Sequence, residues 1–466
     1  MIGRQEVLGS AGGGDVTLPR IHALVDEGLG NSSYLVDLGG GRALAVDPTR
    51  DLRALRGTGR ELGLSVAFAA ETHLHADFLS GALQLVADDG AQALASAAGG
   101  REFPHRGLQD GDEVDLGGLT LRALATPGHT PEHLSFLLLD GPAPVAVFTG
   151  GSLIVGAAAR TDLSGADRTE ALARAQYRSL QRLIGEVPDD TLVLPTHGAG
   201  SFCSAPPVGE RTTTIGAEKA GNELLAAPDE STFVRLLLGG LGSYPAYFDR
   251  LGELNRRGAA LTPDHPALHP LSPTDVRALE ERGAQVVDVR PVPDFAAAHL
   301  PGSLSIELRD AFATWLGWLV DPNLPVVIVR NPDQDVDEIL WQALKIGYDG
   351  LTGELAGGIT AWRASGGATA SIPVIDAADA DPHHVVDIRQ HSEFAASHLP
   401  GARNVELADV TSRPLAGPVQ TLCGHGERAA TAAGLLVAAG RTDVTIVVGG
   451  PAEWSAATGN PLQSGT

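Results

Sequence analysis

Short apolar runs bounded by turn residues open the chain. Residues 21–25, 33–38 and 43–46 read as strands, with the turn Gly39-Gly40-Gly41 between the last two. Over 51–62 the apolar positions take a helical spacing, which leads into an apolar strand at 66–70 and then into a histidine-bearing loop. Units of alternating strand and helix continue to about residue 200, with a long helix expected over 168–184.

The pattern breaks at 261–273, where four prolines in thirteen residues predict a stiff linker. Beyond it the chain repeats itself. Val286-Val-Asp-Val-Arg-Pro-Val-Pro-Asp-Phe-Ala-Ala-Ala-His-Leu-Pro-Gly302 recurs 99 residues later as Val385-Val-Asp-Ile-Arg-Gln-His-Ser-Glu-Phe-Ala-Ala-Ser-His-Leu-Pro-Gly401. That period is too long for a solenoid and right for tandem domains. The expected organisation is a domain over 1–260, a linker over 261–273, and two α/β domains over 274–370 and 371–466.

Composition narrows the partners. At 466 residues the chain has room for roughly three domains, each with its own core. A net charge of -24 repels phosphates, so nucleic acid and anionic membranes are excluded and a small-molecule substrate is expected. Residues 1–20 hold no apolar core of signal-peptide length and no segment reaches the ~18–20 apolar residues that span a bilayer, so a cytoplasmic protein is expected. The two cysteines, Cys203 and Cys423, fall in different expected domains, so no structural disulfide is anticipated.

Four short stretches carry candidate metal chemistry: Thr72-His73-Leu74-His75-Ala76-Asp77, Pro127-Gly128-His129-Thr130, Phe148-Thr149-Gly150-Gly151 and Pro195-Thr196-His197-Gly198. In this order and spacing they resemble the metallo-β-lactamase superfamily, which implies an αββα sandwich with metals at strand ends. The resemblance places His73, His75 and His129 at one metal position. It places Asp77, the residue after it and His197 at a second, bridged by an aspartate following Phe-Thr-Gly. Here residue 78 is phenylalanine and the bridging position is Gly151, so a two-metal hydrolase of the glyoxalase II kind is not expected. The resemblance narrows to persulfide dioxygenases, mononuclear iron members also found fused to rhodanese domains, whose ligands correspond to His73, His129 and Gly151. Three neutral imidazoles hold Fe(II) or Zn(II) with positions left open, and His75 is the expected replacement ligand. One Fe(II) is the expected cofactor and Zn(II) the alternative; a metal-free domain stays open because Gly151 replaces a ligand. Arg160-Thr161-Asp162 matches the family's run, with Arg160 either pairing a substrate carboxylate or buttressing Asp162. Cys203 either lies near the metal, taking or passing sulfur, or is a small buried hydrophobe.

Both halves of the repeat resemble the rhodanese domain, a parallel sheet flanked by helices. In the second half a strand at 418–422 runs into Cys423-Gly424-His425-Gly426-Glu427-Arg428 and then a helix at 429–438. Converging N–H groups over Gly424, His425, Gly426 and Glu427, the helix's positive end and the Arg428 charge would favour a thiolate and an anionic persulfide at Cys423. The C-x4-R spacing is shorter than the C-x5-R loop of phosphatases of similar fold and favours sulfur transfer. In the first half Arg330 stands where cysteine should be, with Asp333 and Asp335 nearby, so that half is expected to be silent. His299 and His398 occur in both halves and are expected to be structural.

The reading that follows is a persulfide dioxygenase, turning a low-molecular-weight thiol persulfide and O2 into sulfite and thiol, coupled to a rhodanese that exchanges sulfur with thiosulfate or sulfite. A homo-oligomer is left open. Alternatives are a sulfurtransferase on a metal-free scaffold, a zinc-dependent thioester-type hydrolase, and a non-enzymatic docking protein.

Overall fold

Each short apolar run forms a strand. The computed structural model describes residues 2–7, 19–203, 209–263 and 266–465. The linker expected at 261–273 lies partly outside these, at residues 264 and 265, as does most of the stretch 1–20. The chain divides into two units: residues 1–264 with 344–347, and residues 265–343 with 348–466.

In the first unit, seven strands form one sheet in sequence order: β1 (Ile2–Val7), β2 (Ile21–Asp26), β3 (Asn31–Asp37), β4 (Arg42–Val46), β5 (Ser65–Ala70), β6 (Gln92–Ser96) and β7 (Arg106–Leu108). The β1-to-β4 pairs are antiparallel and the β4-to-β7 pairs parallel. A second sheet of six strands comprises β8 (Glu113–Asp115), β9 (Leu119–Ala125), β10 (Leu134–Asp140), β11 (Ala143–Gly150), β12 (Leu192–Pro195) and β13 (Thr213–Thr214).

Side chains alternate across a strand, and both faces of these strands are apolar because both are covered. Tyr34, Val36, Leu44 and Val46 meet Leu121, Phe136, Leu138 and Phe148 between the sheets. Their neighbours Leu35, Ala43 and Ala45 face Leu52, Leu55, Ala82 and Leu85, from the segment and helices that cover the outer face. On the other sheet, Leu137, Val147 and Val193 pack under Leu180 and Leu183 of the helix Thr169–Glu186 and under Phe233. The result is the αββα sandwich. Tyr34 ties its two sheets together, donating its hydroxyl to the Pro195 carbonyl at 2.6 Å.

The second unit holds two five-stranded parallel sheets. The first has the order β14-β18-β17-β15-β16, from β14 (Pro270–Leu271), β15 (Gln285–Asp288), β16 (Leu304–Ser305), β17 (Val326–Val329) and β18 (Leu351–Leu355). The second repeats it as β19-β23-β22-β20-β21, from β19 (Val374–Asp376), β20 (Val385–Asp387), β21 (Arg403–Asn404), β22 (Val419–Leu422) and β23 (Val444–Val448).

The repeated motif explains itself as structure. Arg290 and Arg389 form buried forked ion pairs with Asp288 and Asp387, and each also donates to the carbonyl of Ala298 or Ser397. His299 and His398 stack on Phe295 and Phe394, and each Nδ1–H donates to that phenylalanine's carbonyl at 2.9 Å. These pairs fix the turn after a short helix and leave nothing over for chemistry.

Candidate metal and sulfur sites

Loops at the C-terminal ends of β5, β9, β11 and β12 deliver His73, His75, His129, Gly151 and His197 to one buried place. Their hydrogen bonds assign the tautomers. Asp47 accepts from the Thr72 N–H and the Thr72 hydroxyl, each at 2.7 Å, and from the Thr196 hydroxyl. Because the Thr72 hydroxyl gives its proton to Asp47, its oxygen accepts from His73 Nδ1 at 2.8 Å, and His73 Nε2 keeps its lone pair. His129 Nδ1 faces the Arg160 carbonyl at 2.6 Å, which only accepts, so His129 Nε2 is likewise unprotonated. His197 Nδ1 lies 3.1 Å from Asn31 Oδ1 and 3.3 Å from Asp77 Oδ2, again acceptors, which frees His197 Nε2.

Two of these nitrogens, His73 Nε2 and His197 Nε2, stand 3.3 Å apart, a spacing that a single cation can share. The fixed outer partners are what a metal-binding histidine needs to hold its ring and tautomer. Burial and the charge repulsion of the neighbouring imidazoles hold His73 and His133 well below the ordinary histidine range. Burial and His197 hold His129 at about 3. Neutral imidazole is the metal-binding form. His75 goes the other way: burial opposes its charge, but Asp47, 3.2 Å from its Nε2, raises it, and its Nδ1 has no hydrogen-bond partner.

The ligand atoms converge in two overlapping groups, His73 with His75 and His197, and His129 with His197 and Cys203. His197, expected at a separate second metal, is common to both. Asp77 is in neither. Burial works against its charge, but His197 and the Asn31 amide, which donates to Oδ2 at 2.7 Å, bring it down to about 2, and it orients His197. The donor set of imidazoles and one thiol fits a single Fe(II) or Zn(II).

Gly151 supplies no ligand and leaves no room for one, since a Cβ there would stand 2.3 Å from His129 Cδ2. Its N–H donates to His133 Nε2 at 3.1 Å. Arg160 is a buttress. Nε and Nη2 fork onto Asp162, Nη2 also reaches the Gly242 carbonyl, Nη1 reaches that of Phe202, and the guanidinium lies over Tyr244. Of the two roles left open for Arg160, these bonds are those of the Asp162 buttress. Cys203 is buried, and burial together with the Asp77 charge pushes its thiol well up.

In the second unit Cys423 sits at the end of β22, before the helix Glu427–Ala438. Its sulfur accepts the Gly426 N–H at 3.1 Å, a geometry that needs glycine because Gly426 has φ 125°. Arg428 forks onto Glu393 at 2.7 and 2.8 Å, with the Trp315 ring 5.6 Å away, so its charge reaches the loop already paired. Of the expected loop donors, Gly426 meets the sulfur; the His425 carbonyl instead takes the Gly449 N–H. Glu427 lies 3.6 Å from Arg309 of the first repeat. The corresponding loop of that repeat is turned inside out. Arg330 pairs with Glu354 and donates to the carbonyls of Asn331 and Gln334, where an anion-binding loop would present N–H groups.

Comparison with known proteins fits these two centres. The rhodanese-like domain family matches residues 272–365 and 374–457. The mitochondrial persulfide dioxygenase of Homo sapiens is 30% identical over 205 residues, 41% of this chain and 76% of the relative. That of Bos taurus is 31% identical over 161 residues, and the chain spans 58% of its length. A solved metallo-β-lactamase structure from Staphylococcus aureus superposes with a TM-score of 0.65 at 27% identity, over 73% of this chain and 99% of that one. The chain belongs to the metallo-β-lactamase superfamily, fused to two rhodanese-like domains. Both parts of this fusion thus match proteins of sulfur chemistry.

Three residues around the fusion's candidate metal site carry weaker signals in the sequence, or none. Asp47 directly follows β4 with φ 48°, a strained conformation for a residue with a side chain, and its place before Pro48 after a strand was the available signal. His133 lies four residues beyond His129, a spacing worth testing in any metal loop. Asn31 gave no signal. Among the described residues, no helix is long and apolar enough to cross a membrane.

Proposed function

We propose that the fusion is a persulfide dioxygenase coupled to a sulfurtransferase, converting a thiol persulfide, O2 and water into thiol and sulfite: RSSH + O2 + H2O → RSH + H2SO3. The observation that carries this reading is the facing pair of imidazole nitrogens, His73 Nε2 and His197 Nε2, 3.3 Å apart in a buried site that also holds His129. His73, His129 and His197 would hold one Fe(II), which when bound supplies the redox chemistry that joins O2 to the persulfide sulfur.

The chain's own part is to exclude water and to fix the rings. Asp47 through Thr72, the Arg160 carbonyl, and Asn31 with Asp77 each hold one imidazole by Nδ1, so that His197, which belongs to both groups of converging ligand atoms, links His73 to His129. With no carboxylate from residue 151, the imidazoles alone leave the charge of a bound dication uncompensated.

In the second unit Cys423 attacks the outer sulfur of a donor such as thiosulfate. The S–S bond breaks, sulfite leaves with the electron pair, and Cys423 holds the sulfur as a persulfide under the Gly426 N–H. Run in reverse, the same step consumes sulfite. The relatives' persulfide chemistry and the rhodanese-like match support joining both activities in one chain.

The test is O2 uptake by anaerobically iron-loaded protein given glutathione persulfide. Uptake matched one-to-one by sulfite, and abolished in His129→Ala, is the expected result. Absence of uptake while Cys423-dependent sulfur transfer persists would overturn the dioxygenase and leave a sulfurtransferase on a scaffold.

A further inference from the structure

The metal-binding half of the reading above leaves a question of charge and ligand number, because Gly151 removes a carboxylate. We infer that Cys203 takes its place, as a thiolate ligand that joins His129 and His197 on the metal. The ligand atoms of these three residues all lie within 4.8 Å of one another, and all three are buried.

Cys203 is held there by its backbone. The Arg160 N–H donates to the Cys203 carbonyl at 2.9 Å, Arg160 Nη1 donates to the Phe202 carbonyl, and the Cys203 N–H donates to the Ser201 hydroxyl at 3.2 Å. Arg160 also carries the carbonyl that fixes His129. One residue therefore sets the spacing between the thiol and its neighbouring imidazole. A carboxylate cannot enter from residue 151, whose Cβ would overlap the His129 ring, and Asp77, with Oδ2 held by Asn31 and His197 and Oδ1 buried without a partner, belongs to neither group of converging ligand atoms.

Three neutral imidazoles leave a dication uncompensated in a buried site. A thiolate lowers that charge by one, as the superfamily's aspartate would. Binding forms one metal–sulfur bond, the thiol proton leaves to solvent, and neither sulfur nor metal changes oxidation state. A soft sulfur donor beside imidazoles favours Zn(II) or Fe(II) over magnesium or manganese.

The chain has two cysteines, so in the full-length Cys423→Ser variant any metal–thiolate signal belongs to Cys203. X-ray absorption of the zinc-loaded variant is expected to show one sulfur at about 2.3 Å beside nitrogens at about 2.0–2.1 Å. With Co(II) the same variant is expected to show a thiolate-to-cobalt charge-transfer band in the near ultraviolet. Adding Cys203→Ser should remove the band, leave the histidine-bound cobalt spectrum, and weaken binding by at least the ~10-fold that loss of an outer-shell partner costs. A nitrogen-and-oxygen shell with no such band, in protein that binds the metal, overturns the thiolate ligand and leaves the dioxygenase standing. Failure to bind cobalt or zinc at all overturns both.

Discussion

A Cβ on Gly151 would stand 2.3 Å from His129 Cδ2, so restoring the superfamily's aspartate does not restore its site. Gly151→Asp is expected to destabilise the metal-free chain by about 1–3 kcal/mol, the usual cost of overpacking, and to weaken metal binding. Urea denaturation and a zinc titration check this; a gain in affinity at unchanged stability would mean that the His129 ring moves aside readily. The absence of aspartate at 151 was legible from the residues, but its consequence was not. Spacing names a missing ligand and is silent about which ring has grown into the vacated volume. For the same reason sequence brought His73, His75, His129 and His197 forward together yet could not tell that His197 belongs to both groups of ligands, because that depends on where two loops 124 residues apart meet.

Elements explain how the two rhodanese-like repeats share a fold and differ in one loop. The strand order and the Asp-x-Arg and His-Leu-Pro-Gly pieces are common to both, and all of them hold backbone in place. Asp288→Ala is expected to cost about 3–5 kcal/mol, since it leaves Arg290 buried and unpaired, whereas Cys423→Ser should abolish sulfur transfer with little effect on unfolding. Arg330→Cys, made together with Cys423→Ser, is expected to give no transfer. The first repeat's loop presents carbonyls to the Arg330 guanidinium, so a sulfur placed there would face acceptors. Appearance of a cyanide-reactive persulfide in that double variant would show that the loop can invert. The strand-loop-helix around Cys423 was legible because its residues are contiguous. The Glu393 fork onto Arg428 and the approach of Trp315 from the other repeat were not, since both are made across the fold.

At the scale of the molecule, the imidazole cluster writes itself into stability against pH. His73, His129 and His133 have folded-state values below the 6.5 of an exposed histidine, so below that pH the unfolded chain takes up more protons than the folded one. Their contribution is complete above pH 6.5 and is lost as the pH falls toward their folded values, at about 3 for His129. Each such group gives a slope of about 1.4 kcal/mol per pH unit within its window. His75, raised by Asp47 against the cost of its burial, has the opposite sign: its contribution is complete below 6.5 and lost as the pH rises through its folded value, so its window lies above theirs and leaves the loss below 6.5 unchanged. The carboxylates Asp47 and Asp77, both lowered, add a further loss that begins only near pH 4. Metal-free protein is therefore expected to lose stability already between pH 6.5 and 5, well above the range where carboxylates titrate. A bound metal adds stability that depends on its concentration, and because protons compete for the same nitrogens its protection should fade over that interval. Urea midpoints measured from pH 8 to 4, with chelator and with zinc, check both statements. A midpoint flat down to pH 5 in chelator would mean that the buried imidazoles are already protonated in the folded chain, and the neutral tautomers assigned from their hydrogen bonds would fall with it.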